Sequence, residues 1–382
     1  MDSGIYCSAP WRGVTVRENG DVKTCCSGKT SLGNLNSKSI REILHHSDAL
    51  EEIKSYLLDG REHSNCAECI MHDKQHNTAS LRQHYQTHYP LDDFTHKLRF
   101  VDVRWNNKCN LACQYCSPTF SSVWEDRMGV STTSPRKSYQ DDLLQWVLEK
   151  SHELKELMLV GGEPMLMKQN YELLKQLPQD CRISIITNFA YDLATLPCFE
   201  DLLRRPRNNV IWNISIENIG QQLEYVRNGI QWDRFLANLK LVLQYWPDSV
   251  SFNMVYSMFN ALDLYDIVRY YHEHGVKKIT LMPIAGHPEI SAFNMPTPIK
   301  QQLVNVLDRI STWHAQTHGI DADLYPISGL QSIRQGLIES HSKNTVNKKN
   351  FYEKVQWYDS WSDLKFNVLW PDTIDMIERY LQ

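Results

Sequence analysis

The stretch Cys-Asn-Leu-Ala-Cys-Gln-Tyr-Cys at residues 109–116 places Cys109, Cys113 and Cys116 within eight residues. Thiolates at this spacing can bind three irons of a four-iron cluster and leave the fourth iron open, whereas most protein clusters have four cysteine ligands. An open metal position is typical of catalytic rather than structural sites. The stretch therefore predicts a metal centre that binds a substrate or cofactor. The alternative is a zinc site with a fourth ligand elsewhere, although zinc motifs more often use two Cys-x-x-Cys pairs.

The composition is that of a globular protein. The 382 residues are 42% hydrophobic and 22% charged, which allows one large domain and a smaller one. No run of about 18 apolar residues is present, and the first residues lack the features of a signal peptide, so we expect a cytoplasmic protein without a membrane partner. The net charge of −5 argues against a nucleic-acid partner, which would need a strongly basic face.

From residue 98 onward, apolar runs alternate with helical patterns. The six predicted strands are 98–105, 156–160, 182–187, 210–216, 249–256 and 278–282. Six such units predict an α/β fold with a parallel sheet, as an open stack or a partial barrel, with active residues at the carboxyl ends of the strands. The three-cysteine stretch begins at such an end, four residues after Trp105. The predicted segments are a Cys-rich module (1–75), a connector (76–97), the βα series (98–290) and a helical carboxyl-terminal region (291–382).

The amino-terminal module carries five cysteines around a predicted β-hairpin and a predicted helix at 39–58. They are Cys7, Cys25, Cys26, Cys66 and Cys69. In a reducing cytosol such clustering indicates metal binding rather than disulfides. Four of these thiolates suffice for a zinc site or for an all-cysteine iron–sulfur cluster, and His72 and His76 nearby keep zinc as an alternative.

Two segments together resemble the radical S-adenosylmethionine (SAM) enzymes. The first is the three-cysteine stretch, with an aromatic residue, Tyr115, before its last cysteine. The second is Gly161-Gly162-Glu163-Pro164 after the second predicted strand, a segment that meets the SAM amino group in this family. The resemblance implies a partial (β/α)6 TIM-like barrel and a [4Fe-4S] cluster whose open iron binds SAM. Reductive cleavage would then give a 5′-deoxyadenosyl radical that abstracts a substrate hydrogen, with flavodoxin or ferredoxin as electron donor.

Further positions resemble SAM-contacting segments of this family. Thr187-Asn188 resembles a Thr-Asn-Gly segment, with Phe189 in place of the glycine. The other matching positions are Ser215, Glu217, Arg227 and, more weakly, Asn253 and Met282. The resemblance implies that Arg227 pairs with the SAM carboxylate, whereas an ordinary surface arginine is the alternative.

The amino-terminal cysteines resemble the SPASM and twitch modules, which bind auxiliary [4Fe-4S] clusters in radical SAM enzymes. The shorter, one-cluster twitch fits better, since no further cysteine run follows Cys69. The implied ligands are Cys7, Cys66, Cys69 and one of Cys25 and Cys26; we favour Cys25 as the ligand and Cys26 as the spare cysteine. Such modules usually follow the barrel, whereas this one precedes it. If one of these ligands were absent, the auxiliary cluster could bind substrate directly.

Enzymes with such modules act on two classes of substrate. We favour a peptide or protein side chain or backbone, with the auxiliary cluster as electron acceptor. The alternative is a dehydrogenase acting on a small molecule such as an amino-sugar alcohol, and a second alternative is a non-catalytic redox sensor. Cys181 and Cys198 are expected to be buried small hydrophobic residues. Four residues either line a substrate pocket or pack, namely His341, Tyr358, Trp361 and Trp370, and no hydrogen donor is assigned.

Overall fold

The computed structural model describes residues 7–75, 80–132, 137–319, 326–340 and 346–381. The chain divides into two compact units built from interleaved segments. The first unit comprises Met1–Cys109, Ser117–Ile186 and Leu196–Val210, and the second comprises Asn110–Cys116, Thr187–Thr195 and Ile211–Gln382. The boundary between the units falls inside the three-cysteine stretch, so Cys109 belongs to the first unit and Cys113 and Cys116 to the second.

Strands that pair in parallel and alternate with helices form the centre of each unit. The strands are β1 Gly13–Val16, β2 Asp21–Lys23, β3 Gly33–Asn34, β4 Phe100–Val103, β5 Glu156–Leu159, β6 Arg182–Thr187, β7 Val210–Ser215, β8 Val250–Tyr256, β9 Lys278–Pro283 and β10 Ile327–Ser328. In the first unit β4, β5 and β6 are parallel, and in the second β7, β8, β9 and β10 are parallel. The predicted α/β fold is confirmed, and all six strands of the βα series lie within two residues of their predicted ends.

The helices are mostly short. They are α1 Ala9–Arg12, α2 Ile40–His46, α3 Asp48–Leu58, α4 Ala67–Gln75, α5 Leu81–His88, α6 Ser122–Met128, α7 Lys137–Glu149, α8 Lys168–Gln176, α9 Phe199–Leu203, α10 Gly220–Val226, α11 Trp232–Tyr245, α12 Leu264–Glu273, α13 Thr297–His318, α14 Leu330–Glu339, α15 Lys348–Asp359, α16 Phe366–Leu369 and α17 Pro371–Tyr380. The helix predicted at 39–58 is two helices. Ser47 has an extended backbone, and its side chain accepts a hydrogen bond from the Leu50 N–H, so it ends α2 and caps α3.

The Cys-rich module and the βα series share strand pairing in the first unit. The predicted hairpin is present as β1 and β2, and β1 also pairs in parallel with β4, with Thr15 opposite Asp102. The segment expected to be a connector contains α5, which begins with a capping box between Ser80 and Gln83. β10 lies within the region expected to be helix and loop.

Strand β4 is buried at all four positions although it contains a carboxylate, Asp102. Strands β7 and β8 instead alternate between buried and half-buried positions, as expected for a sheet with one core-facing side. Within the described ranges, we find no helix with the length and hydropathy that a bilayer span requires.

Candidate functional site

The second part of the three-cysteine stretch is fixed by backbone pairing within the second unit. The Ala112 N–H donates to the Asn228 carbonyl oxygen at 2.9 Å, and the Gln114 N–H donates to the Val226 carbonyl oxygen at 2.8 Å. The intervening Cys113 is therefore held opposite Arg227. Cys113 is buried, whereas Cys116 is half-buried. The Cys116 N–H donates to the Cys113 carbonyl oxygen and so closes a turn.

The Gly-Gly-Glu-Pro segment packs against the residues that lead into Cys109, within the first unit. Gly161 and Gly162 have φ of +83° and +30°. A Cβ on Gly162 would lie 2.1 Å from the Lys108 carbonyl oxygen, and one on Gly161 would lie 2.7 Å from Arg104 Cβ. Both positions therefore require glycine for this approach and for their backbone conformation, independently of any ligand.

Glu163 is fully buried and, like Gly162, contacts the Lys108 carbonyl oxygen. Its backbone N–H donates to the Lys108 carbonyl oxygen at 2.8 Å, while its side-chain Oε1 accepts a hydrogen bond from the Met165 N–H at 3.1 Å. The carboxylate thereby caps the short turn Pro164–Leu166. The pairing of this carboxylate with the SAM ammonium group stays a prediction.

Asn188 is hydrogen-bonded to the residue that follows Cys109 in the chain. Its Nδ2 donates to Asn110 Oδ1 at 2.9 Å, and Asn110 Nδ2 donates to the Ala190 carbonyl oxygen at 2.6 Å. Phe189, at the position of the family glycine, has φ of +60°, and its buried ring packs against Trp212 with centroids 5.6 Å apart. The backbone of Phe189 therefore has a left-handed conformation, which glycine would adopt without strain.

The other predicted SAM-contacting positions have different surroundings. Thr187 Oγ1 shares a hydrogen bond with the Tyr191 hydroxyl at 2.9 Å. Ser215 is half-buried at the end of β7, opposite Asn253 of β8, and Met282 is 41% exposed on β9. Their contacts with SAM stay predictions.

Glu217 and Arg227 form a buried ion pair in the second unit. Arg227 Nε and Nη2 lie 2.6 Å and 2.8 Å from the two Glu217 carboxylate oxygens. The Tyr115 hydroxyl donates to Glu217 Oε1 at 2.7 Å and accepts from Arg227 Nη2 at 2.7 Å. Arg227 Nη1 lies 3.8 Å from Cys113 Sγ. Burial alone would lower the pKa of Arg227, but Glu217 raises it well above its ordinary value, so the guanidinium is charged.

Four of the five amino-terminal cysteines line one cavity in the first unit. The described residues around it are Cys7, Cys25, Ser27, Asn65, Cys66, Cys69, Leu81, Arg82 and Tyr85. Burial raises the pKa of the Cys7 thiol to about 12, and the neighbouring Cys66 and Cys69 add to this rise. Thiols in this arrangement ionise when bound iron supplies positive charge, and four of them match the four irons of a closed cluster.

Cys26 does not line that cavity, although it follows Cys25 directly. Burial and the charge of Asp102 raise the pKa of its thiol, while Arg104 lowers it. Of the histidines considered as zinc ligands, His72 lies on α4 outside the described cavity lining, and His76 lies outside the described residues.

Two residues of the cysteine cavity, Arg82 and Tyr85, were not predicted from the sequence. Both lie on α5, inside the predicted connector. Arg82 forms an ion pair with Asp73 at 2.6 Å, and a Cβ on Gly13 would lie 2.9 Å from the Tyr85 ring. The available signal was the helical spacing of Leu81, Tyr85 and His88 behind a Ser80–Gln83 capping pattern.

A further group of buried polar side chains was also missed. This inner polar group consists of Thr15, Glu18, Asp102 and Arg104, all in the first unit. Arg104 Nη2 lies 3.3 Å from Asp102 Oδ2, and Arg104 Nη1 lies 3.8 Å from Glu18 Oε2. Asp102 Oδ1, the Thr15 hydroxyl and the Tyr85 hydroxyl have no hydrogen-bond partner among the described residues. Burial raises the pKa of Asp102 to about 6, against the lowering effect of Arg104.

The remaining candidates pack rather than form a separate site. Cys181 and Cys198 are fully buried, and burial raises the pKa of each thiol to about 12. Trp370 stacks on Phe366 with centroids 4.9 Å apart, and the Trp361 carbonyl oxygen accepts a hydrogen bond from Asn228. His341 lies outside the described residues.

One of these candidates, Tyr358, connects to the cysteine stretch through a histidine that was not predicted. The Tyr358 hydroxyl lies 3.3 Å from His287 Nδ1, and His287 Nε2 lies 2.9 Å from the Tyr115 carbonyl oxygen. Tyr358 of the carboxyl-terminal region is thus connected, through His287, to the residue before Cys116.

Comparison with protein families gives two matches on this chain. Residues 103–271 match the radical SAM superfamily, and residues 7–70 match SPASM, described as an iron–sulfur cluster-binding domain. The first match contains the three-cysteine stretch and the Gly-Gly-Glu-Pro segment, and the second contains all five amino-terminal cysteines.

Individual relatives are distant. A probable GTP 3′,8-cyclase of Methanocaldococcus jannaschii is 22% identical over 58% of this chain and 71% of that protein. Molybdenum cofactor biosynthesis protein 1 of Drosophila melanogaster is 23% identical over 51% of this chain and 34% of that protein. Among solved structures, native anSMEcpe with bound AdoMet is 15% identical, with a TM-score of 0.41 over 58% of this chain and 60% of that one. Streptococcus suis SuiB bound to its precursor peptide SuiA is 15% identical, with a TM-score of 0.39 over 67% and 62% of the two chains.

Proposed function

Because the chain belongs to the radical SAM superfamily and carries an amino-terminal SPASM domain, we propose that it oxidises a peptide or protein substrate by hydrogen-atom abstraction. It is a radical SAM enzyme, with SAM, a SAM-binding [4Fe-4S] cluster and an auxiliary iron–sulfur cluster as cofactors. When bound, the SAM cluster supplies the electron that cleaves SAM into methionine and a 5′-deoxyadenosyl radical. We assign Cys109, Cys113 and Cys116 as its ligands.

The observation that carries this proposal is the cavity lined by Cys7, Cys25, Cys66 and Cys69. A cluster bound by all four thiolates has no open iron with which to bind substrate directly. It is instead suited to electron transfer, since the potential of such clusters is tuned by burial and hydrogen bonding. Cys7, Cys25, Cys66 and Cys69 would thus hold a cluster that, when bound, supplies an acceptor for the electron lost by the substrate radical.

Within the first unit, the inner polar group lies near the Gly-Gly-Glu-Pro segment and near Tyr85 of the cysteine cavity. Tyr85 lines the cysteine cavity and, like Thr15 and Asp102, carries a buried oxygen without a hydrogen-bond partner among the described residues. The side chain of Arg104 packs closely against Gly161 of the Gly-Gly-Glu-Pro segment. Buried polar atoms are usually hydrogen-bonded, so unpartnered ones in such a position support a polar substrate group as their partner.

The reaction balances with these residues. A substrate carbon that bears a hydroxyl or amino group loses one hydrogen atom to the 5′-deoxyadenosyl radical. Loss of the O–H or N–H proton to Asp102 and of one electron would then leave a C=O or C=N double bond. A cluster held by the four cysteines of the amino-terminal cavity would supply the acceptor for that electron. A carboxyl with its pKa raised to about 6 can accept this proton near neutral pH.

A peptide is proposed as substrate because enzymes with such modules frequently modify peptides. A small molecule is the second candidate, because sequence relatives of this chain are named for a reaction on GTP. The proposed electron donor is flavodoxin or ferredoxin, and the proposed location is the cytoplasm.

Deuterium transfer tests the substrate class while the substrate itself is still unidentified. Cells of the source organism are grown on deuterated medium, and their extract is separated into peptide and protein, small-molecule, and nucleotide fractions. Each fraction is given to the reduced holoenzyme with unlabelled SAM, and the 5′-deoxyadenosine formed is analysed by mass spectrometry. We expect deuterium in 5′-deoxyadenosine only with the peptide and protein fraction. Deuterium transfer from the small-molecule or nucleotide fraction alone would contradict a peptide substrate.

The matched control is the variant Cys109→Ala/Cys113→Ala/Cys116→Ala, which retains the amino-terminal cysteines. It should form no 5′-deoxyadenosine with any fraction, because the ligands assigned to the SAM cluster are missing. Deuterated 5′-deoxyadenosine from this variant would show that a contaminating enzyme produced the signal.

A further inference from the structure

Arg227 is a buried cation, and each of its three guanidinium nitrogens contacts a protein atom. Its side chain is 6% exposed and that of Glu217 is 1% exposed. Nε and Nη2 contact Glu217 and Tyr115, and Nη1 is left to face Cys113 Sγ at 3.8 Å. We propose that Arg227, held in place by Glu217 and Tyr115, sets the reduction potential of the SAM-binding cluster through a charge-assisted hydrogen bond to the Cys113 sulfur. This inference rests on the assignment of Cys113 as a cluster ligand in the proposed function.

The backbone fixes this contact from two sides. The hydrogen bonds from Ala112 to Asn228 and from Gln114 to Val226 flank the position where Cys113 and Arg227 face each other. The Arg227 N–H also donates to the Leu223 carbonyl oxygen at 2.8 Å, at the end of α10. Since both backbones are held, the guanidinium reaches the sulfur in a defined geometry.

The same contacts engage most of the donors with which Arg227 would pair with the SAM carboxylate, a role that stays a prediction. Both Glu217 carboxylate oxygens already accept hydrogen bonds from Arg227, in a fork that matches the guanidinium geometry. Turning the guanidinium toward SAM would leave Glu217 charged and buried with Tyr115 alone. Breaking a buried ion pair in this way is strongly destabilising, because it leaves an uncompensated buried charge. In this inference Arg227 is a positioning residue, because it would act on a bound cluster through Cys113.

The sign of the effect follows from charge. Reduction adds an electron to the cluster, so a donated N–H and a positive charge beside a ligand sulfur stabilise the reduced form and raise the potential. Glu217 offsets part of this positive charge, so it lowers the potential relative to an unpaired arginine. The two residues therefore act in opposite directions.

The test is the midpoint potential of the SAM cluster in the SAM-free reconstituted holoenzyme. Electron paramagnetic resonance gives the fraction of reduced cluster at each of a series of poised potentials. Arg227→Lys should lower the ratio of reduced to oxidised SAM cluster about tenfold at the wild-type midpoint, which equals about 59 mV for a one-electron couple. Glu217→Gln should shift the ratio in the opposite direction. The signal of the auxiliary cluster provides an internal reference and should not move.

Two tyrosine variants, Tyr115→Phe and Tyr225→Phe, test the same inference if the Arg227 and Glu217 variants bind no iron. Tyr115→Phe removes one hydroxyl that holds Glu217 and Arg227, so we expect a smaller shift in the direction of Arg227→Lys at unchanged iron content. Tyr225→Phe is the matched control, because the Tyr225 hydroxyl donates to Asp359 and its side chain has no hydrogen bond to the Arg227 group. It should leave the potential of the SAM cluster unchanged.

Calorimetric titration with SAM separates the two roles of Arg227. Unchanged SAM-free potentials in Arg227→Lys and Tyr115→Phe, together with a tenfold or larger loss of SAM affinity in Arg227→Lys, would overturn the inference in favour of carboxylate binding. Shifts of the same sign in Arg227→Lys and Glu217→Gln would overturn it as well, since they would indicate general damage. Neither measurement uses a substrate. The result can therefore be interpreted even if the proposed substrate class or electron acceptor is wrong.

Discussion

At the scale of single residues, neighbouring cysteines have different surroundings. Cys25 lines the cavity with Cys7, Cys66 and Cys69, whereas Cys26 lies near Asp102 and Arg104. Sequence reasoning had no chemical basis for distinguishing the two, because adjacent thiols in one turn have nearly the same spacing to every other ligand. Only the direction in which each side chain leaves the turn after β2 distinguishes them.

Replacing either cysteine therefore has a different expected effect. Cys25→Ala should reduce bound iron from about eight to about four per chain after anaerobic reconstitution, because one closed four-iron cluster is lost. Cys26→Ala is the matched control and should retain about eight irons. Iron analysis with visible absorbance checks both variants, and loss of iron only in Cys26→Ala would reverse the ligand assignment.

Asp102 leads to a prediction on stability. Its pKa is raised from 3.8 to about 6 by burial, so the folded protein holds the proton more tightly than the unfolded chain. The stability from this proton is fully present below pH 3.8 and is lost as the pH rises through 6, a difference of about 3 kcal/mol overall. Asp102→Asn should therefore stabilise the protein relative to wild type by about 1 kcal/mol more at pH 8 than at pH 5.

Denaturant unfolding of both proteins at the two pH values measures this difference. Asn cannot titrate, and its shape matches that of the carboxyl group, so the comparison isolates the proton. A gain that is equal at pH 5 and pH 8 would contradict the raised pKa. A gain that decreases with pH would indicate that Asp102 is stabilised as the anion.

At the scale of elements, the sequence predicted the βα series well and the connections between elements poorly. Strands such as β6 are readable because isoleucines, which favour strands, recur at Ile183, Ile185 and Ile186 within a six-residue segment. The parallel pairing of β1 with β4 was not readable, since a four-residue strand carries no information about its partner. The contact between Glu217 and Arg227 was not readable either, since the two residues lie before and after α10 and meet only once this helix has formed.

The close approach of the Gly-Gly-Glu-Pro segment to the loop before Cys109 leads to a prediction at this scale. Gly162→Ala would place a Cβ 2.1 Å from the Lys108 carbonyl oxygen at a positive φ, and a backbone atom cannot move aside as a flexible side chain would. We expect a loss of about 3 kcal/mol or more in the free energy of unfolding, from overpacking and backbone strain together. The SAM cluster should also be lost.

Gly129→Ala is the matched control for this substitution. Gly129 also has a positive φ, +61°, but a Cβ there would have no neighbour within 4 Å. It should cost only about 1 kcal/mol, the strain of a left-handed alanine, and leave iron content unchanged. Equal effects of the two substitutions would show that backbone conformation alone, rather than contact with the cysteine loop, requires Gly162.

At the scale of the whole molecule, the chain combines a radical SAM region with a SPASM domain that precedes it. The three-cysteine spacing and the Gly-Gly-Glu-Pro segment made the family readable from the sequence because both are short and contiguous. The inner polar group was not readable as a group, since its members come from β1, β4 and the loops that follow them. A single aspartate within the apolar strand Phe-Val-Asp-Val was its one visible sign.

We propose two clusters with separate tasks, of which only the cluster held by Cys109, Cys113 and Cys116 cleaves SAM. The most direct measurement is anaerobic iron content together with 5′-deoxyadenosine formation, for wild type, Cys66→Ala/Cys69→Ala and Cys109→Ala/Cys113→Ala/Cys116→Ala. We predict about eight irons for wild type and about four for each variant, with substrate-free SAM cleavage retained in the first variant and absent from the second. Retained SAM cleavage in the second variant would contradict the assignment of the SAM cluster to Cys109, Cys113 and Cys116. Zinc in place of iron at the amino-terminal cysteines would contradict an auxiliary iron–sulfur cluster.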